Sequence, residues 1–470
     1  MSKLIVISNR VAIPGKRNAS PGGLAVGLEG ALKDKGGVWF GWSGEVSDEA
    51  DKRLRSERVN NIDYITVDLT AQEYDEYYSG FSNGLLWPLF HYVLGFTKFS
   101  RKQYIGYRQV NQTFAQTLKE FIGPDDIIWV HDYHLIPIAH ELKALGINNR
   151  IGFFLHVPFP NYGMLRSLPI AKELIECICD FDVVGFQTED DLTNFKDAAC
   201  RSIGAESLQN SYIKSNKHLI FSHSYPIGVD LEAIQKHVNC IEKPSLFAPA
   251  FAGQCDQMMI VGADRIDYSK GLIEKMDAYE HFLSKYPEYH HHVSMVQIAT
   301  LSRADDHDYI QLRENLERKI SHINGCHGAM DWLPVHYLNR NLEHNELMKL
   351  FRSSKVCLVT SLRDGMNLVA KEYIAAQNPE DPGVLILSEL AGASTQLVDA
   401  LIINPYDIDS IAEAIAVAVK MPLPERQRRH QNMLEVIKKS TIQRWRANFI
   451  DSLVDVPRLV DKKEYFSRVI

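Results

Sequence analysis

Cysteine is scarce and scattered in this chain. The seven residues (Cys177, Cys179, Cys200, Cys240, Cys255, Cys326 and Cys357) are odd in number and follow no disulfide framework, which points to free thiols in a reducing compartment. Cys177-x-Cys179 lacks zinc-ligand spacing and is expected within a core helix. No apolar run approaches the roughly 20 residues that a membrane helix needs, and Met1 leads into a strand-like segment without a basic region or cleavage site. These absences predict a cytoplasmic protein with no membrane partner. A positive excess is missing too: with a formal net charge of -8, nothing draws nucleic acid globally, and any anion site must be local. No Gly-x-Ser-x-Gly elbow or zinc-protease helix occurs, which removes several hydrolase classes. Internal repeats and low-complexity linkers are absent as well.

What is present fits two domains. A chain of 470 residues with 45% hydrophobic content exceeds the roughly 250 to 300 residues over which one core grows. Strand-like runs at Leu4-Ile5-Val6-Ile7-Ser8, 127–130, 151–155 and 182–186 alternate with helical patterns, as in βαβ units. The rhythm restarts at Met258-Met259-Ile260-Val261 and continues through 293–298, 355–359, 384–388 and 401–404. The expected fold is therefore α/β, with one parallel-sheet domain over 1–229 and a second over 230–470. The hinge is placed near 226–229, and the last helical stretch, 424–454, is in a position to cross back to the first domain.

The strongest chemical signal follows the first strand of the second half, in Arg265-Ile266-Asp267-Tyr268-Ser269-Lys270-Gly271. Arg265 and Lys270 are expected in the turn and helix start beyond the strand's carboxyl end, where open α/β sheets bind ligands. A guanidinium fork, an ammonium and helix-start N–H groups together suit a diphosphate. The second signal is Ser361-Leu362-Arg363-Asp364-Gly365-Met366-Asn367-Leu368-Val369-Ala370-Lys371-Glu372. Asp364-Gly365 reads as a turn opening a helix whose first N–H groups are unpaired, and Glu372 stands where a carboxylate accepts from vicinal hydroxyls. The bland readings are a turn or cap role for Asp364 and a surface pair for Glu372.

In the first half, Ser8-Asn9-Arg10 ends a strand and Gly22-Gly23 opens a helix, with no Gly-Lys-Ser/Thr to make a nucleotide P-loop. Glu76-Tyr77-Tyr78, the run from Leu86 to His91 with Trp87, and Trp129-Val130-His131-Asp132-Tyr133-His134 mix aromatics with polar tips, as sugar sites do. Asp132 follows one strand and His156 the next, while Arg303 sets another cation beyond a strand of the second half, suited to an acceptor phosphate. Asp180-Phe181-Asp182 and Asp305-Asp306-His307-Asp308 are expected to be solvated caps, and His290 to His292 a loop. No metal or cofactor is expected.

These motifs together resemble the trehalose-6-phosphate synthases, over nearly the whole chain. The resemblance rests on Ser8-Asn9-Arg10, Gly22-Gly23-Leu24, Trp39-Phe40-Gly41-Trp42-Ser43-Gly44, His131-Asp132-Tyr133-His134, His156-Val157-Pro158-Phe159-Pro160 and the two cation-bearing segments above. It implies the glycosyltransferase B fold, two Rossmann-like domains facing across a cleft, and transfer of glucose from UDP-glucose to glucose 6-phosphate with retention. It further implies that Gly22, Gly23, Arg265, Lys270, Leu342 and the segment Leu368, Val369, Ala370, Lys371, Glu372 hold the donor. Arg10, Tyr78, Trp87, Asp132 and Arg303 would then hold the acceptor, with His156 and Asp364 on the transferred glucose. The end of the chain at Ile470 leaves no room for a fused phosphatase domain, so the phosphorylated disaccharide is the expected product. Two alternatives stay open at this point. One is a related transferase with another acceptor or nucleotide, such as a glucosylglycerol-phosphate synthase or a pseudo-glycosidic coupling enzyme. The other is a non-catalytic sugar-phosphate-binding regulator. Formation of a homo-oligomer also stays open.

Overall fold

A computed structural model of the chain describes residues 2–15, 23–47, 54–209, 211–216, 218–239, 257–301, 303 and 307–456. They form two compact units, one of Met1–Ile227 with Ile442–Ile470 and the other of Gly228–Thr441. Gly22 and the segment 18–20 lie outside the described residues.

In the first unit the strands are β1 (Leu4–Arg10), β2 (Gly37–Val46), β3 (Arg55–Val59), β4 (Ile62–Leu69), β5 (Ile127–His131), β6 (Arg150–Phe154), β7 (Val183–Phe186), β8 (Glu206–Ser207), β9 (Tyr212–Lys214) and β10 (Leu219–Ser224). Among the described residues they form a 10-stranded sheet in the order β3-β4-β2-β1-β5-β6-β7-β10-β9-β8. Its centre is parallel, and antiparallel pairs occur at the edges, β3 with β4 and β8 and β10 with β9. β7 is buried along its length and β5 from its second residue, because helices cover both faces of a parallel sheet; hence the near-continuous apolar runs.

The helix Ile442–Asp455 belongs to this first unit. Its Trp445 and Phe449 rings lie 5.1 and 5.0 Å from the Trp129 ring on β5. Gly152 and Gly185 give them room, since a Cβ on either would come within 2.7 to 2.8 Å of Phe449. Asp180 and Asp182, expected as solvated caps, are instead buried: Asp180 pairs with His140 at 2.7 Å, and Asp182 accepts the Ile151 N–H at 2.8 Å. Burial without such partners would cost more than the fold tolerates.

In the second unit β11 (Met258–Arg265), β12 (Val293–Thr300), β13 (Val335–Leu338), β14 (Val356–Val359), β15 (Val384–Ser388) and β16 (Leu401–Ile403) form a parallel sheet in the order β13-β12-β11-β14-β15-β16. β11 runs on through Arg265, which pairs with Thr300 of β12, so Arg265 ends the strand rather than entering the turn. One buried cluster fixes that end. Lys275, on the helix Leu272–Lys285, meets Asp264 at 2.5 Å with both side chains almost wholly buried, and the Gln297 amide donates to the same carboxylate at 3.2 Å. Gly262 is glycine because a Cβ there would stand 2.3 Å from the Gln297 side-chain oxygen. No helix among the described residues is long and apolar enough to cross a membrane.

Candidate active site

In the second unit, the parallel pairing of β11 with β14 carries the two strongest sequence signals, about a hundred residues apart, to neighbouring strand ends. There the loops are stitched together. Leu362 N–H donates to the Ser269 carbonyl at 2.8 Å, and the Thr360 hydroxyl donates to the Gly271 carbonyl at 3.0 Å. Gly271 has φ +60°, and a Cβ would come within 2.2 Å of the Thr360 carbonyl oxygen, so only glycine fits this junction. Lys270 closes a short 3-10 turn over Tyr268–Lys270, just before the helix that begins at Leu272, and so stands ahead of the expected helix start.

Asp364 is neither a plain turn residue nor the helix cap. Its Oδ2 accepts from the Lys270 ammonium at 2.5 Å, the Asn367 amide at 3.1 Å and the Ser361 hydroxyl at 3.3 Å. The carboxylate therefore holds Lys270 on the strand-end side of the loop. The cap is Asn367, in a left-handed conformation with φ 76°, whose Oδ1 accepts the Ala370 N–H at 3.0 Å. The expectation that all the first N–H groups of this helix are unpaired is thus corrected: Ala370 is engaged, because Asn at this position is a strong acceptor for the third helical amide. Leu368 and Val369 form the open first turn of the helix Leu368–Ala376, where anions are favoured.

Lys371 is buried, and burial pushes its ammonium down to about 7. It is part of the unit's interior rather than a surface cation. Glu372 lies 3.6 Å from the His344 ring, on the neighbouring helix His344–Ser353. The nearby Glu372 carboxylate holds that imidazole above its ordinary value despite burial. Leu342 lies two residues before that helix. Arg303 is held in the same unit by Tyr309, to which its guanidinium donates.

In the first unit the candidate acceptor residues Arg10 and Asp132 stand at the carboxyl ends of β1 and β5, and Tyr78 and Trp87 come from the helical segment that follows β4. Arg10 ends β1, with its guanidinium 5.9 Å from the Trp42 ring centroid. Gly44, at φ +90°, clears the space, since a Cβ there would stand 2.6 Å from Arg10 Nε. Trp42 also packs on Tyr78 at 5.3 Å, and Tyr78 stacks on His134 at 5.8 Å and 14°. Tyr78 comes from a π-helix, Tyr74–Leu86, a rare element that concentrates at functional places. Trp87 follows it directly and is buried against His91 and Tyr133.

Asp132 has φ 74° and ψ 165°, a region essentially reserved for glycine. It stays there because its own N–H donates to the Phe154 carbonyl at 2.9 Å and its Oδ1 accepts the His156 N–H at 3.2 Å. His156 and the buried His131 share a hydrogen bond at 3.1 Å. Burial pushes His156 down to about 3 and His131 well below its ordinary value. Both imidazoles are neutral near pH 7, so His156 offers hydrogen bonding and not charge. Gly23 begins the helix Gly23–Lys35.

The sequence pattern passed over Gly44, His131, Asp267 and Tyr309, although Gly44, His131 and Asp267 stand inside quoted motifs. The signal that finds Gly44 is a glycine at a strand end beside an arginine. Gly44→Ala is expected to raise the KM for a phosphorylated acceptor by about tenfold through displacement of Arg10, with little change for the nucleotide sugar. Steady-state kinetics with each substrate varied in turn checks this. Among the described residues no group of three or more His, Cys, Asp or Glu side chains is arranged to hold a metal ion.

The sequence profile described as glycosyltransferase family 20 matches residues 3–455. A trehalose-6-phosphate synthase of Cronobacter sakazakii is 46% identical over 469 residues, covering 100% of this chain and 98% of that protein. Among solved structures, a trehalose-6-phosphate protein from E. coli bound with UDP-2-fluoro glucose superposes with a TM-score of 0.93 at 45% identity, covering 97% of this chain and 100% of the other. A UDP-forming α,α-trehalose-phosphate synthase from Burkholderia xenovorans in complex with glucose 6-phosphate gives a TM-score of 0.92 at 43% identity, covering 96% and 100%.

Proposed function

The chain belongs to glycosyltransferase family 20, and on that premise we infer that it transfers glucose from UDP-glucose to glucose 6-phosphate with retention, giving α,α-trehalose 6-phosphate and UDP. The fold is the glycosyltransferase B architecture of two parallel-sheet α/β domains. One observation carries the reading furthest: the convergence of Arg265, Lys270, Asp364 and the Leu368–Glu372 segment at the ends of β11 and β14.

In this reading Arg265 and Lys270 meet the diphosphate. As the bond between the sugar's C1 and the diphosphate oxygen breaks, negative charge grows on the leaving UDP, and two fixed cations lower the energy of that state more than of the bound donor. Asp364 serves by holding Lys270 and, with His156, by meeting the transferred glucose. The open first turn at Leu368 and Val369 adds N–H groups for the donor, Glu372 accepts from the ribose hydroxyls, and Leu342 lies against the uracil. Gly22 and Gly23 complete the donor set.

On the acceptor side Arg10, Tyr78 and Arg303 bind the phosphate, Asp132 takes a glucose hydroxyl and Trp87 shapes the pocket. The new C1–O bond forms on the face that the diphosphate leaves, and the acceptor hydroxyl's proton passes to a phosphate oxygen of the departing UDP. The two cations supply the positive charge, so the scheme calls for no metal. A cytoplasmic location belongs to the same reading and is supported by the free thiols of Cys177, Cys179, Cys200, Cys326 and Cys357.

The test offers UDP-, ADP- and GDP-glucose with glucose 6-phosphate or glycerol 3-phosphate and identifies the product by NMR. An α,α-1,1 linkage between two glucose units, one phosphorylated, is the expected result. Any other linkage or acceptor rejects the reading.

A further inference from the structure

Asp267 stands two residues beyond Arg265, is almost wholly buried, and serves two partners with its two oxygens. Oδ1 accepts the Ser269 N–H at 2.9 Å, and the Asp267 carbonyl accepts the Lys270 N–H at 3.0 Å, so this residue shapes the turn that carries Lys270. Oδ2 accepts the Tyr309 hydroxyl at 3.2 Å. Tyr309 in turn accepts an N–H from Arg303, whose Nη1 lies 4.0 Å from the same carboxylate oxygen. The guanidinium carbon is 5.1 Å from the Tyr309 ring centroid, so the ring backs the cation while the hydroxyl fixes one edge. Arg303 itself holds φ 51°, uncommon for a residue with a side chain. Burial and the neighbouring Asp267 push the phenol well above its ordinary value, so it keeps the proton that it donates to Asp267.

We propose that Tyr309 and Asp267 are positioning residues that set the Arg303 guanidinium for the acceptor's phosphate and tie it to the turn that bears Lys270. The chain of hydrogen bonds runs Arg303 to Tyr309 to Asp267 to Ser269, and it links the acceptor cation with the donor cation inside one unit. Asp267 explains its place in the quoted motif: a shorter or uncharged side chain would lose one branch or the other. This inference rests on the assignment of Arg303 to the acceptor phosphate.

Three variants and a control separate the possibilities. Tyr309→Phe keeps the ring and deletes the hydroxyl. It is expected to raise the KM for glucose 6-phosphate by about tenfold and to reduce the preference for glucose 6-phosphate over unphosphorylated glucose by a similar factor. UDP affinity, measured by calorimetry, is expected to stay unchanged. Asp267→Asn retains an acceptor for the Ser269 amide and should reproduce the acceptor defect with UDP affinity kept. Asp267→Ala removes both branches and should weaken UDP binding as well. Arg303→Ala is the control. If it leaves the KM for glucose 6-phosphate unchanged, the assignment of Arg303 fails and the inference falls with it. If Arg303→Ala raises that KM while Tyr309→Phe changes neither the KM nor the phosphate preference, the assignment stands and the positioning role is overturned. A Tyr309→Phe variant with lower kcat and an intact phosphate preference also overturns it, because a merely structural role predicts that pattern.

Discussion

Arg265→Ala and Lys270→Ala each lower kcat by about a hundredfold to a thousandfold, the range found when one well-placed donor to a developing negative charge is removed. The melting temperature is expected to stay close to that of the parent, because Arg265 is exposed at the end of β11. Lys270 is the sharper case. Its ammonium is shared with Asp364, so Lys270→Ala leaves that carboxylate to the Asn367 amide and the Ser361 hydroxyl. The Asn367 cap and the first turn at Leu368 are therefore expected to hold. Stopped assays with saturating substrates, beside thermal denaturation, check both halves. Near-normal kcat in both variants would reject the diphosphate clamp, and a collapse in melting temperature would reassign the pair to structure.

Replacing Asp132 separates stability from activity in the opposite direction. A residue with φ 74° and ψ 165° carries strain of about 1 to 3 kcal/mol, and glycine carries almost none of it. Glycine gives part of that back through the greater freedom of its unfolded chain, about 0.5 to 1 kcal/mol. Asp132→Gly should therefore unfold about 1 kcal/mol less readily than Asp132→Ala, which keeps the strain and equally lacks the carboxylate. Both variants are expected to lose about tenfold to a hundredfold in kcat/KM for glucose 6-phosphate, the scale of one charged hydrogen bond. Denaturant titration of the pair tests the strain, and the acceptor kinetics test the role. An alanine variant as stable as the glycine variant would remove the first argument, and unchanged kcat/KM would remove the second.

The physical reason the two sheets could be read from the residues is that parallel strands buried on both faces spell unbroken apolar runs, as in Ile127–His131 and Val356–Val359. The runs missed were of other kinds. β3 is polar and exposed for most of its length, and β2 is interrupted by glycines whose purpose, room for β1 and for Arg10, exists only in three dimensions. The chemistry divides in the same way. Arg265, Lys270 and Asp364 could be placed near strand ends because each follows an apolar run. Asp267 and Tyr309 are 42 residues apart and meet only because the helix His307–His327 brings Tyr309 beside the turn that follows β11. The π-helix that delivers Tyr78 has no periodicity by which a 3.6-residue pattern would reveal it. Asp182 was misjudged because a charged side chain reads as solvated until its partners, here the backbone of Ile151 on a neighbouring strand, are known.

The helix Ile442–Asp455 has a consequence for how the molecule comes to exist. Trp129, Gly152 and Gly185 are made early, yet the side chains that cover them, Trp445 and Phe449, are made only after about 260 further residues. The unit of Gly228–Thr441 has all its residues before then. All residues of that unit are therefore made before those that cover β5 to β7, so a growing chain carries this apolar surface bare until the helix Ile442–Asp455 is complete.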